Sequence, residues 1–462
     1  MPSNLSRRAF LERASALSLA GAATPFVMNL AAMGEAAAAT AADYKALVCV
    51  FLYGGNDYAN TLVPYDNTQY GIYQAQRSGL AYAQSALTAT ALTPSVPLPN
   101  GAQYALAPEL AKLLPLFNAG NLAVLLNAGT LVQPTTKAQY QAHVSLPPKL
   151  LSHNDQQSYW QASSPEGAAS GWGGRIGDLL QSGNGTATLT CINVTGNAAF
   201  LTGQAAVQYS VTPAGPIALN ARTSLRGSTA AASLLRSLIS GGGTHEFEAA
   251  LGSIGARALD LYSQVSAALG QAPVTTTVFP TAADPQSSLG AQLQLVAKLI
   301  SVSSQLGAKR QVFFVSTGRY DTHAGLVTLH PTLLTNLADA LRAFYDTTME
   351  LGVASQVTTF TGSDFGRALT ANNDGTDHGW GSMHFVLGGA VRGGRYYGIN
   401  PTLANGGPDD IGQGRLIPTL SVDQYAATLA SWFGVSNSDL ATVVPNIGNY
   451  AGSALGTNVG FV

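Results

Sequence analysis

Six short runs along this chain are apolar, rich in β-branched or aromatic residues and brief: LVCVFLY (47–53), LAVLLNAG (122–129), LTCINV (189–194), QVFFVSTG (311–318), QVTTFTG (356–362) and FVLGG (385–389). Runs of that length and continuity read as strands buried on both faces. Helical spacing fills the intervals. Leu289, Leu293, Val296 and Ile300 recur within 286–306, and Leu334, Leu337, Leu341 and Phe344 within 331–351, where Pro331 is expected in the first turn. SVDQYAATLASWFG (421–434) reads as a further helix, capped by Ser421 and ended by Gly434. Strands alternating with helices predict an α/β domain, a mostly parallel sheet sandwiched by helices. Residues 196–285 interrupt the pattern. They are rich in Ala, Ser, Thr and Gly, and read as an insertion or cap region with a long helix around 244–271. The rest of residues 43–462 reads as one domain.

The N-terminus carries a different signal. Ser6-Arg7-Arg8-Ala9-Phe10-Leu11 is a twin-arginine pattern, followed by a weakly apolar stretch and small residues that offer cleavage sites between Ala36 and Ala42. Residues 1–42 are therefore expected to be a cleaved export signal, handled by the twin-arginine machinery, with a periplasmic or secreted product. Pro25 and Asn29 interrupt the stretch, which argues against a stable membrane span. Only 10% of residues are charged and the net charge is −2, which leaves no basic footprint for nucleic acid. The two cysteines, Cys49 and Cys191, each lie in an apolar strand run and read as buried thiols.

Ligands of open parallel sheets collect beyond the C-terminal strand ends. The first strand run leads to Asp57, the fourth to Asp321 and His323, and the fifth to Asp364, with Asp377 and His378 following. Converging carboxylates and imidazoles suit a divalent cation; zinc takes mixed nitrogen and oxygen sets, and manganese or calcium favours oxygen. One or two ions are expected. In LLSHNDQQSYW, Ser152 stands at a helix start. It reads as an N-cap, or as a hydroxyl nucleophile beside the metal. Arg175 and Arg367 are candidate oxyanion clamps. The Tyr-rich region 65–82 offers a weaker suggestion of sugar binding.

Several longer segments carry a family resemblance: VFLYGGNDYANTLVPYD, LSHNDQQSYW with GWGGRIGDLL, GRYDTHAGLVTLHPTLLTNLADALRAFYD, TFTGSDFGRALTANNDGTDHGWGSMHFVLGGAVRGGRYYG and GRLIPTLSVDQYAATLASWFGV. In them the chain resembles the bacterial, twin-arginine-exported family catalogued as domain of unknown function 1501. That family looks like a distant branch of the alkaline phosphatase and sulfatase superfamily. The resemblance implies a metal site at the strand ends and cleavage of a phosphate or sulfate ester on a small molecule or polymer. It matches Asp57, Ser152, Asp321 with His323, Asp364 and His378 to the superfamily's positions. Two departures stand out. Asp321 and His323 are two apart where four is usual, and Phe365 follows Asp364 where a histidine is common. The chain also lacks a Cys- or Ser-x-Pro-x-Arg sequence, which argues against an oxidised-cysteine sulfatase. A protein that keeps the fold and an ion without turnover is the alternative.

Overall fold

The computed structural model describes residues 44–196, 198–219, 223–281 and 288–462. The expected export signal, residues 1–42, lies outside the described residues. Among them, no helix is long and apolar enough to cross a membrane.

The described strands are β1 (Lys45–Leu52), β2 (Leu62–Pro64), β3 (Tyr104–Leu106), β4 (Leu122–Gly129), β5 (Cys191–Asn193), β6 (Tyr209–Thr212), β7 (Gly215–Pro216), β8 (Arg310–Thr317), β9 (Val357–Ser363), β10 (Arg367–Ala371), β11 (Thr376–His378), β12 (Ser382–Gly388), β13 (Tyr396–Tyr397) and β14 (Leu420–Ser421). All six expected runs form strands. The main sheet has ten strands in the order β13-β4-β12-β9-β1-β8-β5-β6-β7, with β14 also on β4. Most neighbours run parallel, as the strand–helix alternation predicts. The main exception is β12, antiparallel to both β9 and β4. Its direction follows from its connection. The chain leaves β9 and enters the β10–β11 hairpin without a crossover helix, and a parallel return would need one.

Strand β1 shows why the sheet needs two cover layers. Ala46, Val48, Val50 and Leu52 enter one apolar core, and Leu47, Cys49 and Phe51 enter the other. The alternation of side chains along a strand sends successive residues to opposite faces. Helices Leu289–Ser301 and Leu326–Glu350 fill the first core, and Trp172–Leu180 and Val422–Phe433 the second. Cys49 and Cys191 are both free and buried.

Segment 196–285 adds β6 and β7 to the sheet edge, then helices Thr229–Ser240 and Glu246–Leu269. Ser421 caps its helix in a reciprocal capping box with Gln424, and Gly434 follows at φ 123°. Pro331 corrects one expectation. Its helix opens earlier, at Leu326, and the proline lies inside it. The start is set instead by Asp374, whose carboxylate accepts from the Gly325 N–H (3.0 Å) and whose carbonyl accepts from the Leu326 N–H (2.9 Å).

Candidate metal centre

Strands β9, β1 and β8 are adjacent and parallel, so their C-terminal ends open onto one patch. After β8 the chain turns across the end of β1. Gly54 makes that crossing possible: its φ is 115°, and a Cβ there would lie 2.4 Å from the Asp321 nitrogen. The crossing exposes Asp321 and His323 at the rim. After β9, Asp364 stays buried, and the β10–β11 hairpin pairs Arg367 with His378. From the other side comes helix His153–Ala162, with His153 at its first residue.

Three side chains meet here, with His323 beside them. One ligand atom each from His153, Asp321 and His378 lie within 4.8 Å of one another. Asp321 Oδ2 is 3.5 Å from His153 Nε2, and Asp321 Oδ1 is 3.3 Å from His378 Nε2 and 3.2 Å from His323 Nε2. The Nε2 atoms of His323 and His378 are 2.8 Å apart. Donors around a common zinc-sized ion, each 2.0–2.1 Å from it, stand about 3–3.4 Å apart. The contacts of Asp321 with His153 and His378 fall close to that spacing.

Each imidazole is fixed from behind. His153 Nδ1 lies 2.6 Å from Asp364 Oδ2, and His378 Nδ1 lies 2.7 Å from the Leu151 carbonyl. Carboxylates and carbonyls only accept, so both Nδ1 atoms carry the proton and both Nε2 atoms present a lone pair. This is the arrangement by which metal-binding histidines are oriented. His323 Nδ1 faces Asp377 Oδ1 at 3.5 Å. His153 Nε2 is buried without a hydrogen-bond partner, a costly state that a cation against the imidazole would relieve. The ring of Phe365 lies 4.8 Å from His153 and 4.6 Å from His378, an apolar wall where the resemblance leads one to expect another imidazole.

The electrostatics favour a charged Asp321 carboxylate and a neutral His378 ring. Burial alone would raise the Asp321 carboxyl, but the hydrogen bond and charge of Arg367, with His323 and His153, hold it below its ordinary value. The hydrogen bond to Asp364 raises His153, against its burial. Burial lowers His378, with the Leu151 carbonyl opposing. Two imidazoles and one carboxylate suit zinc better than calcium, which takes oxygen ligands.

The structure sorts the sequence candidates differently from the expected ligand set. Asp321, His323 and His378 converge. Asp57 stands apart: its Oδ1 accepts from the Ala59 and Asn60 N–H groups, and its Oδ2 from Arg77 (2.7 Å) and Thr376 (3.1 Å). Asp57 and Arg77 form a buried ion pair. Burial would raise the Asp57 carboxyl, but the charge and hydrogen bond of Arg77 keep it low. Asp364 holds His153 and also accepts from Gln157 and Gly54. Asp377 backs His323 and accepts from Asn372. Arg367 is fully buried. It donates to Asp321 (2.8 Å), to the Gly54 carbonyl and to Thr376, so it braces a ligand and presents no open clamp. Arg175 donates to the carbonyls of Val443, Ser170 and Ala162, bracing helix Trp172–Leu180. Ser152 occupies the N-cap position as expected, and its hydroxyl donates to Asp155 Oδ2 (2.9 Å). The polar side chains of the Tyr65 cleft largely bond one another or nearby backbone.

Sequence reasoning passed over His153. It lies next to Ser152, inside a segment already singled out, and its position at the first helical residue was the available signal.

The profile of the family described as "Protein of unknown function (DUF1501)" matches residues 44–443. No curated protein matches the sequence. Among solved structures, the chain is similar to the PsFucS1 sulfatase from Pseudoalteromonas sp., with 9% identity over 92% of this chain and 74% of that one, and a TM-score of 0.35. It is also similar to the lipoteichoic acid synthase LtaP from Listeria monocytogenes, with 9% identity, 87% and 74% coverage, and a TM-score of 0.30. Likeness of this extent carries no argument about activity.

Proposed function

The chain belongs to the DUF1501 family, and from that premise and the geometry of the strand-end cluster we propose that it is a metal-dependent hydrolase of phosphate or sulfate esters. The observation that carries the reading is the convergence of the His153 and His378 Nε2 atoms on Asp321, with both Nδ1 atoms held in hydrogen bonds. His153, Asp321 and His378 would hold one divalent ion of the zinc class, with His323 beside them. Such an ion supplies Lewis-acid polarisation of an ester oxygen and acidifies water. The chain's own residues orient and shield it. Asp364 and the Leu151 carbonyl aim two rings, Arg367 keeps Asp321 ionised, and Phe365 excludes water from one side. The twin-arginine pattern supports a role outside the cytoplasm.

A panel of phosphate and sulfate esters assayed with Zn²⁺ and Mn²⁺ tests the reading. Turnover that disappears in Asp321→Ala supports it. Metal binding without turnover across the panel would favour the second reading, a non-catalytic metal-binding protein. The engagement of the Ser152 hydroxyl by Asp155 is the observation that speaks for that second reading.

A further inference from the structure

Resting on the reading of a bound ion, we propose that Leu151 is a positioning residue whose left-handed backbone aims a carbonyl at His378 and so decides which nitrogen of that ring faces the metal. The segment between helices Lys137–Gln141 and His153–Ala162 holds four non-glycine residues in the left-handed region: His143 (φ 53°), Ser145 (φ 48°), Lys149 (φ 45°) and Leu151 (φ 71°). Residues with a Cβ rarely adopt that region, and they persist there only where their surroundings over-determine them. For Leu151 the surroundings are visible. Its side chain packs against the cluster of Leu131, Trp380, Ile417 and Tyr450, and its carbonyl accepts from His378 Nδ1. Trp380 lies two residues beyond His378 and donates its indole N–H to the Thr130 carbonyl (2.7 Å). The side chain and the carbonyl of Leu151 therefore grip the same stretch of chain from two directions. His153 follows two residues later, so one short segment sets two of the converging imidazoles. The Arg415 guanidinium, donating to the His378 carbonyl (2.7 Å), fixes the ring's backbone but leaves its tautomer to Leu151.

The tautomer is the consequence that can be measured. With Nδ1–H given to Leu151, His378 Nε2 carries the lone pair and turns it toward Asp321 and His323. Without that acceptor, either ring nitrogen can carry the proton.

Two substitutions at one position separate the carbonyl from the side chain. Leu151→Gly keeps access to φ 71° without strain but loses the anchor, whereas Leu151→Pro locks φ near −65°. The Leu151 N–H makes no backbone hydrogen bond among the described residues, so proline removes none. Zn²⁺ affinity of the whole folded protein is read by competition with a chelating dye. Leu151→Pro is expected to bind about 10–100-fold more weakly, the usual effect of losing a partner behind a ligand, while Leu151→Gly, which keeps the carbonyl but loses the anchor, loses less. Equal loss in both variants, or loss in neither, overturns the proposal. Histidine ¹⁵N NMR of the zinc-loaded parent decides the matter independently of how the variants fold. A proton on His378 Nδ1 supports the assignment, and zinc on Nδ1 overturns it. A parent that binds no Zn²⁺ would defeat the ion reading itself, which is a separate failure.

Discussion

Asp57 and Asp364 show how two aspartates at neighbouring strand ends come to do different work. Both are buried and both follow a strand, but Asp57 meets Arg77 and two backbone N–H groups, whereas Asp364 meets an imidazole. Asp57→Ala leaves the Arg77 guanidinium buried without its carboxylate. It is predicted to cost about 3–5 kcal/mol in chemical denaturation while leaving metal content at the parental level. Asp364→Asn is predicted to do the reverse, with a small effect on stability and zinc affinity lowered about 10–100-fold in the dye competition. The candidate residues themselves were legible in the sequence because strand-end carboxylates are conspicuous in a chain so poor in charge. Their roles were not, because position after a strand says nothing of which partner a carboxylate will find. His153 escaped notice because the N-cap role of Ser152 already accounted for its segment.

The β10–β11 hairpin is the element on which the site depends most. It carries Arg367 and His378, and its turn supplies Asp374 to the start of helix Leu326–Glu350. Gly375 lies so close to the loop bearing His323 that a Cβ would come 2.2 Å from the His323 carbonyl. Gly375→Ala is predicted to cost about 1–3 kcal/mol, seen as a lowered denaturation midpoint, and to weaken metal binding by displacing His323. The sequence shows GSDFGRALTANNDGTDHGWG as turn-rich, but pairing between its two halves depends on tertiary contacts. Helices were easier to read where caps and periodicity agree, as for Ser421 and Gly434, than where a distant residue supplies the start, as Asp374 does.

At the scale of the whole molecule, stability has a pH dependence that the metal does not set. Asp423 is buried at the start of helix Val422–Phe433, and burial pushes its carboxyl up to about 6, with Asn446, Ser163 and Arg175 opposing. Its unfolded value is near 3.9. Between those two values the unfolded chain releases a proton that the folded chain keeps. Stability is therefore fully present below about pH 4, falls as pH rises through 6, and is lower by up to about 3 kcal/mol at pH 7. Asp423→Asn is predicted to flatten that fall and to exceed the parent at pH 7 in thermal denaturation. Asp57, held below its ordinary value, acts in the opposite sense, and its contribution is lost as pH falls into the acid range. The sheet and its two cover layers were open to sequence reading because the central strands are buried on both faces, and the antiparallel β12 was not, because its direction is set by the hairpin before it. The site depends on the strand ends and helix His153–Ala162 converging on one ion. Metal content of the purified protein, measured by mass spectrometry after loading with Zn²⁺ and removal of the excess, tests it most directly. One ion per chain is expected in the parent and its loss in both His153→Ala and His378→Ala; a parent without metal, or variants that hold as much as the parent, would overturn the site.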